Sequence, residues 1–333
     1  MIAARLRSAS ARRPRGAAGA PAAGVVVGAA ARGSLTPSGY AWTGKCGAAA
    51  PVVLRSRGAL APLSLLRDGA PTDQTESSMT TLGIIGSGSI GTAIARLAIA
   101  AGLDVVLSNS RNPDTLTETV AALGAASRAA TPEEAARAGD QVVVAVPLTA
   151  YRSLPVAALQ GKVVLDTINY YATRDGHIED LDSGRITTSE LVQAHLDGAR
   201  TVKAFNNIAA FHIPALARPA GAADRSALPI AGDDAAARTE AADLIGRLGF
   251  DTVDAGPLSQ SWRFEPETAA YAPAYAADPA AVLRGWQQMV DDLRAGRAPR
   301  LPAPDAGSAL SAARLGKLLA GAERKLTADR IVA

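Results

Sequence analysis

Cysteine is nearly absent from this chain: Cys46 is the only one in 333 residues. A single cysteine excludes a disulfide bond within the chain. Cys46 also lies outside the part that we expect to fold, so that part can form neither a thiolate metal site nor a cysteine nucleophile. A reducing compartment is consistent with this composition, and we expect a cytoplasmic protein.

Long hydrophobic runs are also missing. No apolar stretch approaches the roughly 18 residues that a membrane-spanning helix needs, although 48% of the residues are apolar, which is ample for a core. We therefore expect no contact with a membrane.

The chain lacks a basic body, despite its net charge of +3. Residues 1–78 contain nine Arg and one Lys against three acids, a net charge of +7, which leaves −4 for residues 79–333. The folded part thus gives no electrostatic reason to expect a nucleic-acid partner.

Residues 1–78 form a leader that is rich in Ala, Gly, Arg and Pro and has no helical or strand periodicity. We expect it to be disordered. Three interpretations stay open: an organelle transit peptide, an export signal suggested by Arg12-Arg13, or an over-extended start ahead of Met79. In each case a chain beginning at Met79 is expected to fold and to bind its cofactor.

A glycine-rich motif follows the apolar run Leu82–Ile85 and precedes an Ala/Ile/Leu-rich segment. Gly86 would make the tight turn, Gly88 would let a pyrophosphate approach the backbone, and Gly91 would let the helix pack against the strand. The helix start would then bind the anion through its free N–H groups and its dipole. The predicted pyrophosphate-binding residues are Gly86, Ser87, Gly88, Ser89, Ile90 and Gly91.

The end of the second strand lacks the acid that would bind the ribose 2′-hydroxyl of NAD. The chain reads Ser110-Arg111 there, and the first acid is Asp114. Because a carboxylate would repel a 2′-phosphate and these two side chains offer donors to it, we predict NADP(H). The alternative is that Arg111 is only a solvated loop residue.

Apolar strands alternate with amphipathic helices from residue 82 to residue 253. This order predicts a Rossmann-type, doubly wound α/β fold with a mostly parallel sheet and helices on both faces. We expect the NADP-binding domain over residues 79–262 and a Pro/Ala-rich helical extension over 263–333, which could cover the sheet, pair with another subunit in a homodimer, or hang free.

Ligands bind at the carboxyl ends of such strands, which indicates a second group of candidate residues. Asn206 could position the nicotinamide or the acceptor, or cap a helix, although Asn207 is the better cap. Pro147, with Val146, could shape the strand exit or simply end the strand. Asn169 could contact the ribose or the acceptor, or serve a turn. Asp166 is interpreted as structural.

Several motifs together resemble the family of coenzyme F-420-dependent NADP reductases and their bacterial NADP-oxidoreductase relatives. The reductase domain of the membrane metalloreductases is similar over part of this length. The resemblance covers roughly residues 80–275. The motifs are Gly86–Gly91, Ser110-Arg111, Val146-Pro147, Asp166–Asn169, Val202–Asn206, Gly232–Asp234 and Asp254–Ser259.

This resemblance implies an NADP-dependent oxidoreductase that passes hydride between NADPH and a small-molecule acceptor, either coenzyme F-420 or a flavin. Such ring-to-ring transfer needs positioning rather than an individual acid or base, and no catalytic residue is expected beyond the positioning groups. Two alternatives stay open: reduction of a small carbonyl or imine, and a non-catalytic NADP-binding sensor. The scattered histidines His177, His195 and His212 predict no metal site.

Overall fold

The computed structural model describes residues 81–298 and 304–327. The predictions for the leader, including Met79 and Cys46, lie outside these residues. The eight strands in chain order are β1 (Thr81–Ile85), β2 (Asp104–Ser108), β3 (Ser127–Ala130), β4 (Gln141–Val144), β5 (Val163–Asp166), β6 (Arg200–Lys203), β7 (Ala227–Gly232) and β8 (Asp251–Asp254).

The strands form one sheet in the order β3-β2-β1-β4-β5-β6-β7-β8. The first six are parallel, and their order is that of a dinucleotide-binding sheet, with the topological switch point between β1 and β4. The pair β6–β7 is antiparallel, with Val202 opposite Gly232, so β7 and β8 run the other way. The carboxyl ends of β1 to β6 therefore meet at one edge of the sheet, which we call the carboxyl edge.

Helices cover both faces of the sheet. They are α1 (Ser89–Ala100), α2 (Thr117–Leu123), α3 (Pro132–Ala138), α4 (Val156–Leu159), α5 (Ala172–Asp175), α6 (Glu179–Asp182), α7 (Thr188–His195), α8 (His212–Leu216), α9 (Ala235–Arg247), α10 (Pro279–Arg294) and α11 (Ala312–Ala320).

Successive residues of a strand pack into two separate hydrophobic cores. Ile84 packs in one core with Ile94 of α1, and its neighbour Ile85 packs in the other with Val192 of α7. Successive side chains of a strand point to opposite faces, so a continuous apolar run supplies both cores. The predicted doubly wound α/β class is confirmed.

Three local features depart from the simple alternation of apolar strands and helices. Residues Leu148–Ser153 form a 3-10 turn and α4 follows, because Pro155 lacks an N–H and interrupts the helix between them. Strand β3 was not predicted, because Ser127–Ala130 contains no β-branched or large apolar residue that would give a strand pattern at this sheet edge. The reversed direction of β7 was not predicted either.

The C-terminal segment packs on the same core as the sheet. The N–H of Ala227 in β7 donates to the carbonyl of Leu310 (2.8 Å), and Leu310, Leu315 and Leu319 are buried with the residues of β7. Sequence analysis left open whether this segment covers the sheet, pairs with another subunit or hangs free. In the structure it packs against the sheet at β7. Within the described ranges, no helix is both long and apolar enough to cross a membrane.

Candidate active site

The turn after β1 has the conformation that its glycines predict. Gly86 has φ +119°, and a side chain there would place Cβ 2.1 Å from the carbonyl oxygen of Ala145. A Cβ on Gly91 would lie 1.9 Å from the carbonyl oxygen of Gly86. Both positions therefore need glycine for the protein's own packing, independent of any ligand.

Gly88 differs from these two glycines. A Cβ built on it meets no atom within 4 Å, so packing does not require glycine there. Helix α1 begins at Ser89 without a side-chain cap and without an acidic residue in its first turn. Ser87 and Ile90 are partly exposed, and Ser89 is exposed. Open space beside uncapped N–H groups is the arrangement that a pyrophosphate requires, and these residues fit a dinucleotide.

The end of β2 presents donors and no acid. Asn109 fixes the loop: its Oδ1 accepts from the N–H of Arg111 (2.8 Å), and its Nδ2 donates to Thr115 Oγ1 (3.0 Å). Ser110 and Arg111 are exposed, and Arg111 forms no ion pair with a described residue. Asn109 was not singled out by the sequence; its position directly before Ser110 is the signal that could have found it, since Asn often closes such turns.

The end of β4 turns sharply at Pro147. Val146 is partly buried, whereas Pro147 is exposed and begins the 3-10 turn, its carbonyl accepting from the N–H of Ala150 (2.9 Å). This geometry suits both interpretations of Pro147, as the end of the strand and as the surface that the exit offers to a ligand.

The ends of β5 and β6 are joined by two amide side chains. Asn206 Nδ2 donates to Asn169 Oδ1 (3.1 Å) and to the carbonyl of Phe264 (2.9 Å), and Asn169 Nδ2 donates to the carbonyl of Asn206 (2.7 Å). These contacts fix the orientation of both amides. The Oδ1 of Asn206 is buried and has no partner among the described residues.

The residue before Asn206 is held in a strained conformation. Phe205 has φ +57° with its ring fully buried against Phe250, centroid to centroid 6.0 Å. A left-handed conformation in a bulky residue costs free energy and persists only where the surroundings enforce it, which occurs often at functional sites. Here the strain sets the position from which the Asn206 amide meets Asn169.

Two phenols complete this group. The hydroxyls of Tyr171 and Tyr271 hydrogen-bond to each other, and Asn169 Nδ2 lies 3.4 Å from the first and 3.1 Å from the second. The Arg174 guanidinium stacks over the Tyr171 ring, 4.8 Å from its centroid. We call Asn169, Asn206, Tyr171 and Tyr271 the amide–phenol cluster. No sequence pattern indicates Tyr271, which lies 102 residues from Asn169.

Burial raises the pKa of Tyr171, and burial together with the neighbouring phenol raises the pKa of Tyr271 well above its usual value. The hydrogen bond between them acts in opposite directions, lowering the pKa of Tyr171 and raising that of Tyr271. Both phenols therefore stay protonated at neutral pH.

Asp166 belongs to a buried charge network below the cluster. Its Oδ2 accepts from Ser189 Oγ (2.5 Å), and the Lys203 Nζ lies 3.8 Å from it and 3.9 Å from Glu265 Oε1. Lys203 Nζ also donates to the carbonyl of Ile168 (2.6 Å), and the Lys203 and Asp166 side chains are fully buried. This arrangement agrees with the structural role expected for Asp166, and it holds the chain that leads to Asn169.

Asp234 caps a helix, whereas Asn207 does not. Asp234 caps α9, and the Arg200 guanidinium, followed by the N–H of Ala237, holds its pKa below the usual value. Asn207 caps no helix, because α8 begins only at residue 212. Its Nδ2 instead donates to the carbonyl of Ala270 (2.8 Å) and to the Tyr275 hydroxyl (3.1 Å).

The predicted site residues thus lie along the carboxyl edge: the glycine-rich turn with Ser110 and Arg111 forms one group, Asn169 and Asn206 form another within the amide–phenol cluster, and Val146 and Pro147 follow β4 between them. The predicted histidines stay apart from both. In the part of the chain that the structure describes, no group of three or more His, Cys, Asp or Glu could hold a metal.

Residues 81–170 match the model of a family described as coenzyme F-420-dependent NADP oxidoreductase. The match covers strands β1 to β5 and confirms the resemblance as well as the predicted class of enzyme, an NAD(P)-dependent oxidoreductase. No curated protein matches the chain.

Solved structures of similar fold include a hypothetical protein from Sinorhizobium meliloti, 32% identical, with a TM-score of 0.49 over 56% of this chain and 89% of that one. A protein of Arthrobacter sp., provisionally described as an F-420-dependent NADP-reductase, is 22% identical, with a TM-score of 0.47 over 55% of this chain and 87% of that one. An imine reductase from Myxococcus stipitatus, in complex with NADP+, is 17% identical, with a TM-score of 0.37 over 53% of this chain and 55% of that one. Likenesses of this degree do not identify the electron acceptor.

Proposed function

We propose that this chain, whose residues 81–170 match the family of coenzyme F-420-dependent NADP oxidoreductases, transfers hydride between NADPH and a deazaflavin or flavin-type acceptor. One observation carries the proposal. Donors line the carboxyl edge from Arg111 after β2, through the uncapped start of α1 after β1, to the amide–phenol cluster after β5 and β6.

This order supports one orientation of the cofactor. Ser110 and Arg111 would bind the adenosine end through its 2′-phosphate, and the α1 N-terminus at the switch point would bind the pyrophosphate. The nicotinamide would then extend past Pro147 towards β5. Neighbouring strands are about 4.8 Å apart, so β2 and β5 are roughly 14 Å apart across the sheet. The amide–phenol cluster would therefore be at the nicotinamide end.

When bound, NADPH supplies the hydride, and the residues of this chain bind, orient and exclude water. The unpartnered Oδ1 of Asn206 is an acceptor suited to an N–H of the carboxamide or of the acceptor ring. Asp166 is an unsuitable general acid, since its Oδ2 accepts from Ser189 and faces Lys203 and its Oδ1 accepts from the N–H of Ile168. This leaves positioning as the main task, as ring-to-ring transfer requires.

A small carbonyl or imine remains the alternative acceptor, because its reduction needs a proton donor and Tyr171 offers a hydroxyl at the same place. Homodimer formation and a cytoplasmic location are further proposals that follow from the sequence alone.

The test is a stopped-flow survey of NADPH oxidation by the full chain. The acceptors are coenzyme F-420, FMN, FAD, a ferric chelate and small imines. We expect rapid oxidation with the deazaflavin or the free flavins and little with the others. Oxidation only with imines would transfer the assignment to the alternative, and NADPH binding without oxidation by any acceptor would indicate the sensor.

A further inference from the structure

The amide–phenol cluster contains one hydroxyl proton more than its hydrogen bonds among the described residues require. The two phenols carry two O–H protons, and one of these forms the bond between Tyr171 and Tyr271. Among residues 81–298 and 304–327, the only other group bonded to these hydroxyls is Asn169 Nδ2, which is itself a donor. Among the described residues, the second proton therefore has no acceptor.

The orientation of Asn169 makes this count firm. If its amide were reversed, its nitrogen would face Asn206 Nδ2 at 3.1 Å and its oxygen would face the carbonyl of Asn206 at 2.7 Å, two repulsive contacts. Asn169 thus presents N–H to the phenols and cannot accept their spare proton.

Tyr171 is the phenol whose hydroxyl proton is available to a ligand. The side chain of Tyr271 is 7% exposed and lies against Trp286, with ring centroids 5.8 Å apart, whereas Tyr171 is more exposed. A hydroxyl that accepts one bond while donating another is a stronger donor.

We infer that Tyr171 is a catalytic hydrogen-bond donor to the electron acceptor, directed at the nitrogen or oxygen atom where negative charge develops, with Tyr271 as its positioning residue. This inference rests on the proposed function and narrows the acceptor class to conjugated rings that carry such a heteroatom. The arriving hydride forms the new bond at the acceptor ring, a π-electron pair of that ring moves to the heteroatom, and the nicotinamide becomes the oxidised pyridinium. The proton that later neutralises the heteroatom comes from water.

A fixed donor aimed at developing charge stabilises the transition state more than the ground state. Because both phenols stay protonated at neutral pH, the rate of hydride transfer in the unmodified protein should be nearly independent of pH between 6 and 8.

The experiment measures single-turnover hydride transfer from NADPH to coenzyme F-420 and to FMN in Tyr171→Phe, Tyr271→Phe and Tyr151→Phe. The last variant is the matched control, since the Tyr151 hydroxyl accepts from Arg152 and bonds to no member of the cluster. NADPH affinity and melting temperature are recorded for each variant, so that loss of the donor is separated from loss of the fold.

We expect Tyr171→Phe to slow transfer about 100-fold, the lower range for losing one preorganised donor, with NADPH affinity unchanged. Tyr271→Phe should slow it about tenfold, because Tyr171 keeps its proton and loses its orientation. Tyr151→Phe should stay within about twofold, because the variant keeps the buried ring and loses only the bond from Arg152, outside the cluster.

If Tyr171→Phe transfers hydride within threefold of the unmodified protein while NADPH affinity is intact, the inference is wrong. If the unmodified protein itself reduces neither acceptor, the proposed function fails instead. An equal loss of rate in Tyr151→Phe would show a general structural effect and would also overturn the inference.

Discussion

The turn after β1 and the ends of β5 and β6 lie on the same edge of the sheet but are built in different ways. The turn is local: its glycines lie within six residues, and the start of α1 is left uncapped. The amide–phenol cluster joins Asn169 to Tyr271, and its members bond mainly to one another. A pyrophosphate needs similar backbone contacts in many proteins, so a short motif can supply them. An electron acceptor needs contacts that are particular to its own structure, and distant segments of the chain supply them.

The buried charge beneath the cluster should give the largest effect of any single substitution. Lys203→Met removes the cation shared by Asp166 and Glu265 and leaves two buried carboxylates together. We expect it to cost about 3–5 kcal/mol of unfolding free energy, as for breaking a buried ion pair. Urea denaturation measures this change.

The double variant Lys203→Met/Asp166→Asn serves as the control. It should recover part of the loss, because the uncompensated charge of Asp166 is removed. A cost below about 1 kcal/mol for Lys203→Met alone would show that the network carries little of the stability of this end.

Substitutions at two glycines of the turn should affect stability and NADPH affinity separately. Gly91→Ala places a Cβ against backbone and should cost about 3 kcal/mol, the upper range for overpacking. Gly88→Ala meets no protein atom, so the melting temperature should hold while NADPH affinity falls about tenfold or more, roughly 1.4 kcal/mol. Calorimetry and fluorescence titration measure the two quantities.

If Gly88→Ala binds NADPH as tightly as the unmodified protein, the pyrophosphate does not approach this turn. If Gly91→Ala melts normally, the distinction between a packing glycine and a ligand glycine is wrong.

The sequence predicted the turn because its signals are local. Gly86 and Gly91 stand at fixed offsets from an apolar strand, and each is required by a backbone atom within a few ångströms. The parallel order of β1 to β6 follows from the alternation of apolar strands and helices for the same reason. Even the choice of Ser110 and Arg111 depends only on how far they lie from the glycines.

The cluster could not be predicted in this way. Asn169 and Asn206 were identified by their positions at strand ends, but nothing in the spacing pairs them with Tyr271, which follows a proline-rich stretch without periodicity. The role expected for Asn207 was wrong because the chain after β6 continues into turns that bond to the C-terminal segment. The reversal at β7 was missed because hydrophobic patterns do not encode strand direction.

Cofactor choice should give the smallest effect. The protein should bind NADPH at least tenfold more tightly than NADH, about 1.4 kcal/mol, because Arg111 lies exposed where an acid would stand in an NAD enzyme. Arg111→Ala should remove most of this preference without changing NADH affinity. Equal affinity of the unmodified protein for both cofactors would refute the assignment of NADP(H).

The central claim is direct hydride transfer at the cluster, and stereospecifically deuterated NADPH tests it most directly. In a single turnover of the full chain with coenzyme F-420, mass spectrometry follows the label in the reduced deazaflavin. The account predicts one deuterium on the ring carbon that accepts the hydride, from only one of the two labelled NADPH diastereomers, and none from heavy water. Reduced deazaflavin that carries no deuterium from either diastereomer would contradict it.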